Sequence, residues 1–210
     1  MRRINIFSAI LTLVLLFCLS CVNHKDSIGE KFIVKYNIVE NHYEYCVVNS
    51  KNDTILILDP NKYIICFSDT VESFIVVAIR AKKGWWGIDF SENILFQVYN
   101  TTDGEPSPDE LNFDRIRIVD EEGKIGFADG KGKIVIQPQF EQVTAYHEKY
   151  AIIGENCIKI PWDTTHVESG CNHYSIECKK YGYIDKQGAV VEIGNSSFEE
   201  LYEKLDFPKW

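Results

Sequence analysis

The chain has 210 residues with a formal net charge of −9, and 45% of its residues are hydrophobic. That length suits one ordinary domain or a short array of repeats. The acidic balance argues against nucleic acid or an anionic lipid surface as a partner.

In chain order, residues 1–20 read as a signal peptide. Arg2 and Arg3 make a basic start, and Ile10–Leu19 is almost entirely apolar. The stretch is too short and wrongly flanked for a stable span. It ends in "CLSC", which resembles the bacterial lipoprotein box: Ser20 takes the small position and Cys21 the position that is lipidated. Cys18 stands where that box usually has Leu. The resemblance implies a membrane anchor through an N-terminal lipid, at the cell envelope and most naturally the outer membrane. Residues 21–30 then form a polar tether.

Residues 31–59 carry two or three strands, with "NSKND" turning between Val48 and Thr54. Beyond them the chain repeats. "IGFADGKGKIV" (125–135) and "YGYIDKQGAVV" (181–191) match position by position: Gly126 with Gly182, Asp129 with Asp185, Gly132 with Gly188. "WGIDFSENILF" (86–96) is a third copy. Aligned on Gly87, it puts Phe90 at the Asp position and Asn93 at the closing glycine. Asn tolerates positive φ better than most residues, so the last turn position is expected to be left-handed in every copy. The Asp side chain is expected to bond the backbone ahead of it. A phosphate-binding loop is not indicated, because an apolar strand rather than a helix follows Gly188.

The flanks extend the units. Phe74–Arg80 alternates with so few polar positions that burial on both faces is expected. Phe113, Ile116 and Ile118 form a strand-like run. Pro138 is expected to end a strand, with Phe140 and Val143 anchoring the return. Gly87 and Gly126 are 39 residues apart, and Gly126 and Gly182 are 56 apart, which leaves a 17-residue insertion in the last unit, at about 155–178. A period near forty with several short strands indicates an all-β array.

The pattern aromatic-Gly-aromatic-x-Asp-x-x-Gly-x-apolar-apolar, followed by Pro-x-aromatic, resembles the bacterial WG (KWG) repeat. It is carried by 82–96, 123–140 and 179–191, within about 60–194. The resemblance implies an extracytoplasmic, antiparallel β-repeat array and no catalytic residue. Residues 195–210 differ. Ser197 and Glu200 form a capping box, and Phe198, Leu201, Tyr202 and Leu205 share one helical face. This short helix is expected to cap the end of the sheet.

The insertion holds Cys157, Cys171, Cys178, His166 and His173. Its spacing fits no common zinc pattern. A disulfide stapling a long hairpin is the adopted reading, and a metal or enzymatic site the alternative. The sequence leaves open which cysteines pair. Trp85, Trp86, Tyr181 and Tyr183 read as packing residues, and Trp162 as an exposed ring available to a glycan. Acidic neighbours such as Asp109-Glu110 point to opposite faces of a strand and read as solvated surface. The expectation is a non-enzymatic binding or scaffold module, without a cofactor, whose partner is a protein or a glycan.

Overall fold

The computed structural model describes residues 31–39, 42–65, 70–101, 107–162, 174–194 and 196–208. The signal peptide, Cys21, the tether, Cys66, Cys171, His166 and His173 lie outside them.

The described residues open with β1 (Phe32–Val39), β2 (His42–Val48) and β3 (Thr54–Leu58), followed by β4 (Tyr63–Ile65) and β5 (Thr70–Val71). β1, β2, β3 and β5 form one sheet in the order β3-β2-β1-β5. Val47, Leu56 and Leu58 from this sheet bury against Tyr63, Val77 and Ile88 of the next, so the N-terminal strands share a core with the first repeat.

The repeats follow one plan: a strand, a turn, the aromatic-glycine strand, a second turn and a third strand. In the first copy these strands are β6 (Phe74–Ile79), β7 (Trp85–Asp89) and β8 (Ile94–Val98). A short excursion, β9 (Asn100–Thr101) with β10 (Ser107–Pro108), leads to the second copy: β11 (Ile116–Val119), β12 (Ile125–Ala128) and β13 (Ile134–Phe140). These two copies and β4 make a seven-stranded antiparallel sheet, β13-β12-β11-β8-β7-β6-β4. The third copy forms its own sheet from β14 (Gln142–Val143), β15 (Ala151–Pro161), β16 (Tyr174–Ile184) and β17 (Val190–Gly194). As expected from its apolarity, β6 is buried on both faces: Ile75, Val77 and Ile79 face one cluster, and Phe74 and Val76 another.

One joint links successive repeats. Gln97 and Val98, at the end of β8, pair with Val119 and Ile118 of the next copy. Gln142 and Val143 pair with Gly154 and Ile153 in the same way. In both joints the following N–H bonds on, from Tyr99 to the Arg117 carbonyl and from Thr144 to the Ile152 carbonyl. The joint holds because the closing strand of each unit leaves an open ladder edge that needs a partner.

One turn is equally repetitive. At Asn49, Asp89, Asp120, Asp129 and Asp185 a side-chain oxygen accepts the N–H groups two and four residues ahead, at 2.8–3.0 Å. The residue three ahead of each is left-handed: Asn52, Glu92, Gly123, Gly132 and Gly188, with φ between 62° and 82°. This is the expected turn with a left-handed closing residue. It also corrects the register of the first copy. Asp89, not Phe90, is the turn aspartate, and Glu92, not Asn93, takes the left-handed slot. Alignment on Gly87 misplaces the copy by one residue, because Trp86 occupies the ladder position of Gly182: each pairs with the residue eight past the turn aspartate, Gln97 and Ile193. Asn93 instead locks the turn, donating its side-chain amide to Asp89 Oδ2 at 2.9 Å.

That bond, with backbone donors from Asn93 and Ser91, holds the Asp89 carboxyl below the ordinary aspartate range. A depressed folded pKa favours the native state above the unfolded pKa, and that contribution is lost as pH falls through the folded value. In a carboxylate NMR titration Asp89 is expected to protonate at lower pH than a free aspartate, and Asn93→Ala to move it back up. An unchanged titration in the variant would contradict this role for Asn93.

The namesake glycines answer to space rather than to turn geometry. A Cβ on Gly126 would lie 2.4 Å from the Ile136 carbonyl oxygen and 2.5 Å from the Pro138 nitrogen, and one on Gly182 would lie 2.1 Å from the Glu192 oxygen. Backbone cannot step aside as a side chain can, so Gly182→Ala is expected to destabilise by about 1–3 kcal/mol or more. Its midpoint in urea should fall accordingly; an unmoved midpoint would show that β17 yields freely.

Pro138 does not end its strand. β13 continues through it to Phe140, and the pairing jumps from Phe127↔Ile136 to Ile125↔Phe140. Proline is tolerated because β13 is the outer strand and the ladder is already irregular opposite Gly126. Phe113 also departs from the sequence reading. It sits with φ 50° in the tight turn Asn112–Arg115, closed by reciprocal backbone bonds of 2.8 and 2.9 Å, and is exposed.

Helix α1 (Phe198–Lys204) begins at the expected capping box, with Ser197 and Glu200 bonded reciprocally. Leu201 is fully buried against Ile152, Tyr183 and Phe207. The helix covers a face of the terminal sheet and not its edge: Val190, Val191 and Ile193 on β17 remain exposed.

Candidate functional site

The repeat positions singled out from the sequence are structural. Asp129 and Asp185 anchor their turns, and Gly132 and Gly188 close them. These two glycines also seat the repeats on one another. Gly132 lies against Leu95 and Phe74 of the copy before it, and Gly188 against Ile136.

The insertion is an arm. Where the first two copies turn in a few residues, the third extends β15 and β16 to eleven residues each, paired as far as Pro161↔Tyr174. Cys157 and Cys178 face each other in register and are disulfide-bonded. The bond closes a segment of 21 residues and contributes about 2–4 kcal/mol by restricting the unfolded chain. It also removes two ligands from the metal alternative, and the described residues hold no cluster of three His, Cys, Asp or Glu side chains arranged for a metal. Gly154 lies beneath the disulfide, where a Cβ would come within 2.3 Å of the Cys178 sulfur. The arm is braced to the preceding repeat: the Cys157 N–H donates to Glu141 Oε2 at 3.1 Å, and Lys124 lies 3.9 Å from Glu141 Oε1.

A cleft of about 690 Å³ runs beside this arm. Its arm side carries Trp162 and Tyr174, with Tyr99 among the lining residues. Trp162 is 68% exposed, as its sequence context implies. Another part of the lining is a continuous run of rings: Phe113, His147, Phe207, Tyr202, Phe198 and Tyr181, each centred 5.0–5.8 Å from the next. Thr101, Asn112, Gln142, Thr144, Ser175 and Glu177 supply polar groups. Trp85 and Trp86 are partly buried in the cores of the first repeat, in keeping with a packing role.

One element of the cleft was not foreseen from the sequence. Asp109 is 4% exposed, not solvated surface. The β9–β10 excursion returns it beside β11, where its N–H bonds the Tyr99 carbonyl. Its carboxylate accepts the Arg117 N–H at 2.8 Å and the Arg117 guanidinium at 2.6 Å. Arg117 also donates to the Val143 carbonyl and lies 4.5 Å from the centre of the Tyr99 ring. Burial pushes the Tyr99 phenol above its ordinary pKa. The sequence signal available was the alternation of Arg117 with the buried Ile116 and Ile118. A charge between two core positions points to the opposite face of the strand, and where that face is also covered it needs a partner there.

A family model described as the WG containing repeat aligns with residues 125–156. This is a WG repeat-containing protein. The matched segment runs from the aromatic-glycine strand through β13 and the joint into β15, so it spans the junction of two units. The copies on either side share its turn, and the first copy shares its joint, although the match itself covers only this segment. No curated protein and no solved structure matches the chain. No helix among the described residues is long and apolar enough to cross a membrane.

Proposed function

We propose that this chain is a lipid-anchored, exported binding module of the cell envelope, held by Cys21 at the outer membrane, and that it acts by docking a partner rather than by catalysis. The observation that carries the reading is the braced arm. A turn of a few residues has been expanded into a disulfide-stapled hairpin that walls an aromatic cleft of a size ordinary for ligand sites. Rigid placement of loop-borne side chains on a repeat scaffold is how such folds host binding. The anchor rests on the basic start, the apolar run and the Ser20-Cys21 junction.

Two measurements test it. Mass spectrometry of the protein from its native envelope should find lipid on Cys21; an unmodified Cys21 would remove the anchor. Hydrogen exchange of the full chain, with and without envelope extract, should show protection at Tyr174–Tyr181 and around Thr144. Protection absent there, or turnover abolished by one side-chain change, would overturn the docking role.

A further inference from the structure

We infer that the cleft takes an uncharged glycan chain, with the Trp162–Tyr174 end as a ring-stacking subsite. This rests on the cleft being the docking site. Three observations select this ligand class.

The first is the mixture of lining groups. Aromatic faces accept the apolar face of a sugar ring, and amide and hydroxyl groups bond its hydroxyls. Rings contributed by Trp162, Tyr174 and Tyr99 lie in the same cleft as Gln142, Thr144 and Thr101. Thr101 is bonded to Ser107, Thr144 to the Ile152 N–H and Gln142 to Tyr99, which fixes these groups while leaving hydroxyl lone pairs and amide donors for a sugar. A sugar satisfies both kinds of surface.

The second is charge. The Arg117 guanidinium in the cleft is already paired with Asp109, so it offers no net positive charge to an anionic sugar. Glu177 and Glu199 also line the cleft, and the whole chain is at −9. Lys159 Nζ lies 4.5 Å from the centre of the Tyr174 ring, so it is the two glutamates and the overall charge that weigh against an acidic polysaccharide, chiefly at long range.

The third is length. Aromatic side chains recur from Trp162 and Tyr174 on the arm to Phe198 and Tyr202 on the helix side. Such a lining suits several consecutive sugar rings better than one. Trp162 belongs to none of the buried core clusters, so replacing it removes contact area without opening the core.

The test is calorimetric titration of the full chain with neutral hexamers of glucose and of N-acetylglucosamine, beside a uronic-acid hexamer. A neutral hexamer should bind, the acidic one should not, and Trp162→Ala and Tyr174→Ala should each weaken binding about tenfold or more. Trp162→Phe, which keeps an aromatic face, should recover most of the affinity. No heat with either neutral hexamer, preference for the acidic one, or unchanged affinity in both alanine variants would overturn the inference. Hydrogen exchange separates the two readings. Cleft protection by envelope extract without binding of neutral hexamers would leave the docking cleft standing and remove the glycan. Absence of both would remove both.

Discussion

Phe127→Ala is expected to be among the most damaging single substitutions in the chain, lowering stability by about 3–5 kcal/mol in a urea melt. Phe127 is fully buried on β12, a strand whose four residues are all buried. Its ring meets Tyr146 edge-on, with centroids 4.7 Å apart. The same cluster holds Ile136 of the second repeat and Ala151, Ile153 and Ile184 of the third. Deleting the ring therefore opens a void at the junction between two sheets whose backbones do not pair into one ladder. Packed strands relax only partly around such a void. Against a typical total of about 5–15 kcal/mol, the loss is a large share of what holds the array. Ile57→Ala, on a residue 56% exposed, is the matched control and should stay within about 0.5 kcal/mol. A Phe127→Ala loss no greater than the control would mean that the junction core is not a stabilising centre.

The architecture was legible where local chemistry decides it. The turn residues Asp129, Gly132, Asp185 and Gly188 could be read because positive φ and Asx bonding depend on a few consecutive residues. The capping box at Ser197 and Glu200 could be read for the same reason. The register of the first copy is not legible in its Trp-Gly dipeptide, because the hydrogen-bonding position of Asp89 sets the turn and Trp86 takes the ladder place that glycine holds in the other copies. Pro138 was read as a strand end because its tolerance depends on β13 being an outer strand, a property of the sheet and not of the segment. The pairing of Cys157 with Cys178 was open in the sequence for a related reason. It follows from the register of β15 on β16, which the residues around each cysteine cannot specify. The cleft was the least legible feature. It is assembled from Tyr99 and β9, β11, β14, the arm and the C-terminal helix, and such convergence has no signature in any one stretch.

Asp109 is the residue where misreading the surface matters most, and Asp109→Ala is expected to cost about 3–5 kcal/mol. The pair with Arg117 is largely withdrawn from water, with 4% and 13% of the two side chains exposed. Removing the carboxylate strands a guanidinium whose Nε already has no hydrogen-bond partner. The remaining Arg117 bond, to the Val143 carbonyl, cannot neutralise the charge. The loss should therefore exceed that of the complementary deletion of both charges. Asp109→Leu combined with Arg117→Met should recover a substantial part of the stability, because replacing a buried ion pair by apolar groups of similar volume is often neutral. A double-mutant cycle read from urea midpoints distinguishes the cases, and a single-variant cost below about 1 kcal/mol would show the pair to be hydrated after all. Tyr99 links this pair to the cleft, since its ring lies against the Arg117 guanidinium and its carbonyl holds the Asp109 N–H. The double variant should thus fold well yet lose Tyr99 as a fixed wall of the cleft. A ligand placed there would be weakened by Asp109→Leu with Arg117→Met even where stability is restored, which separates the pair's contribution to folding from its contribution to the shape of the site.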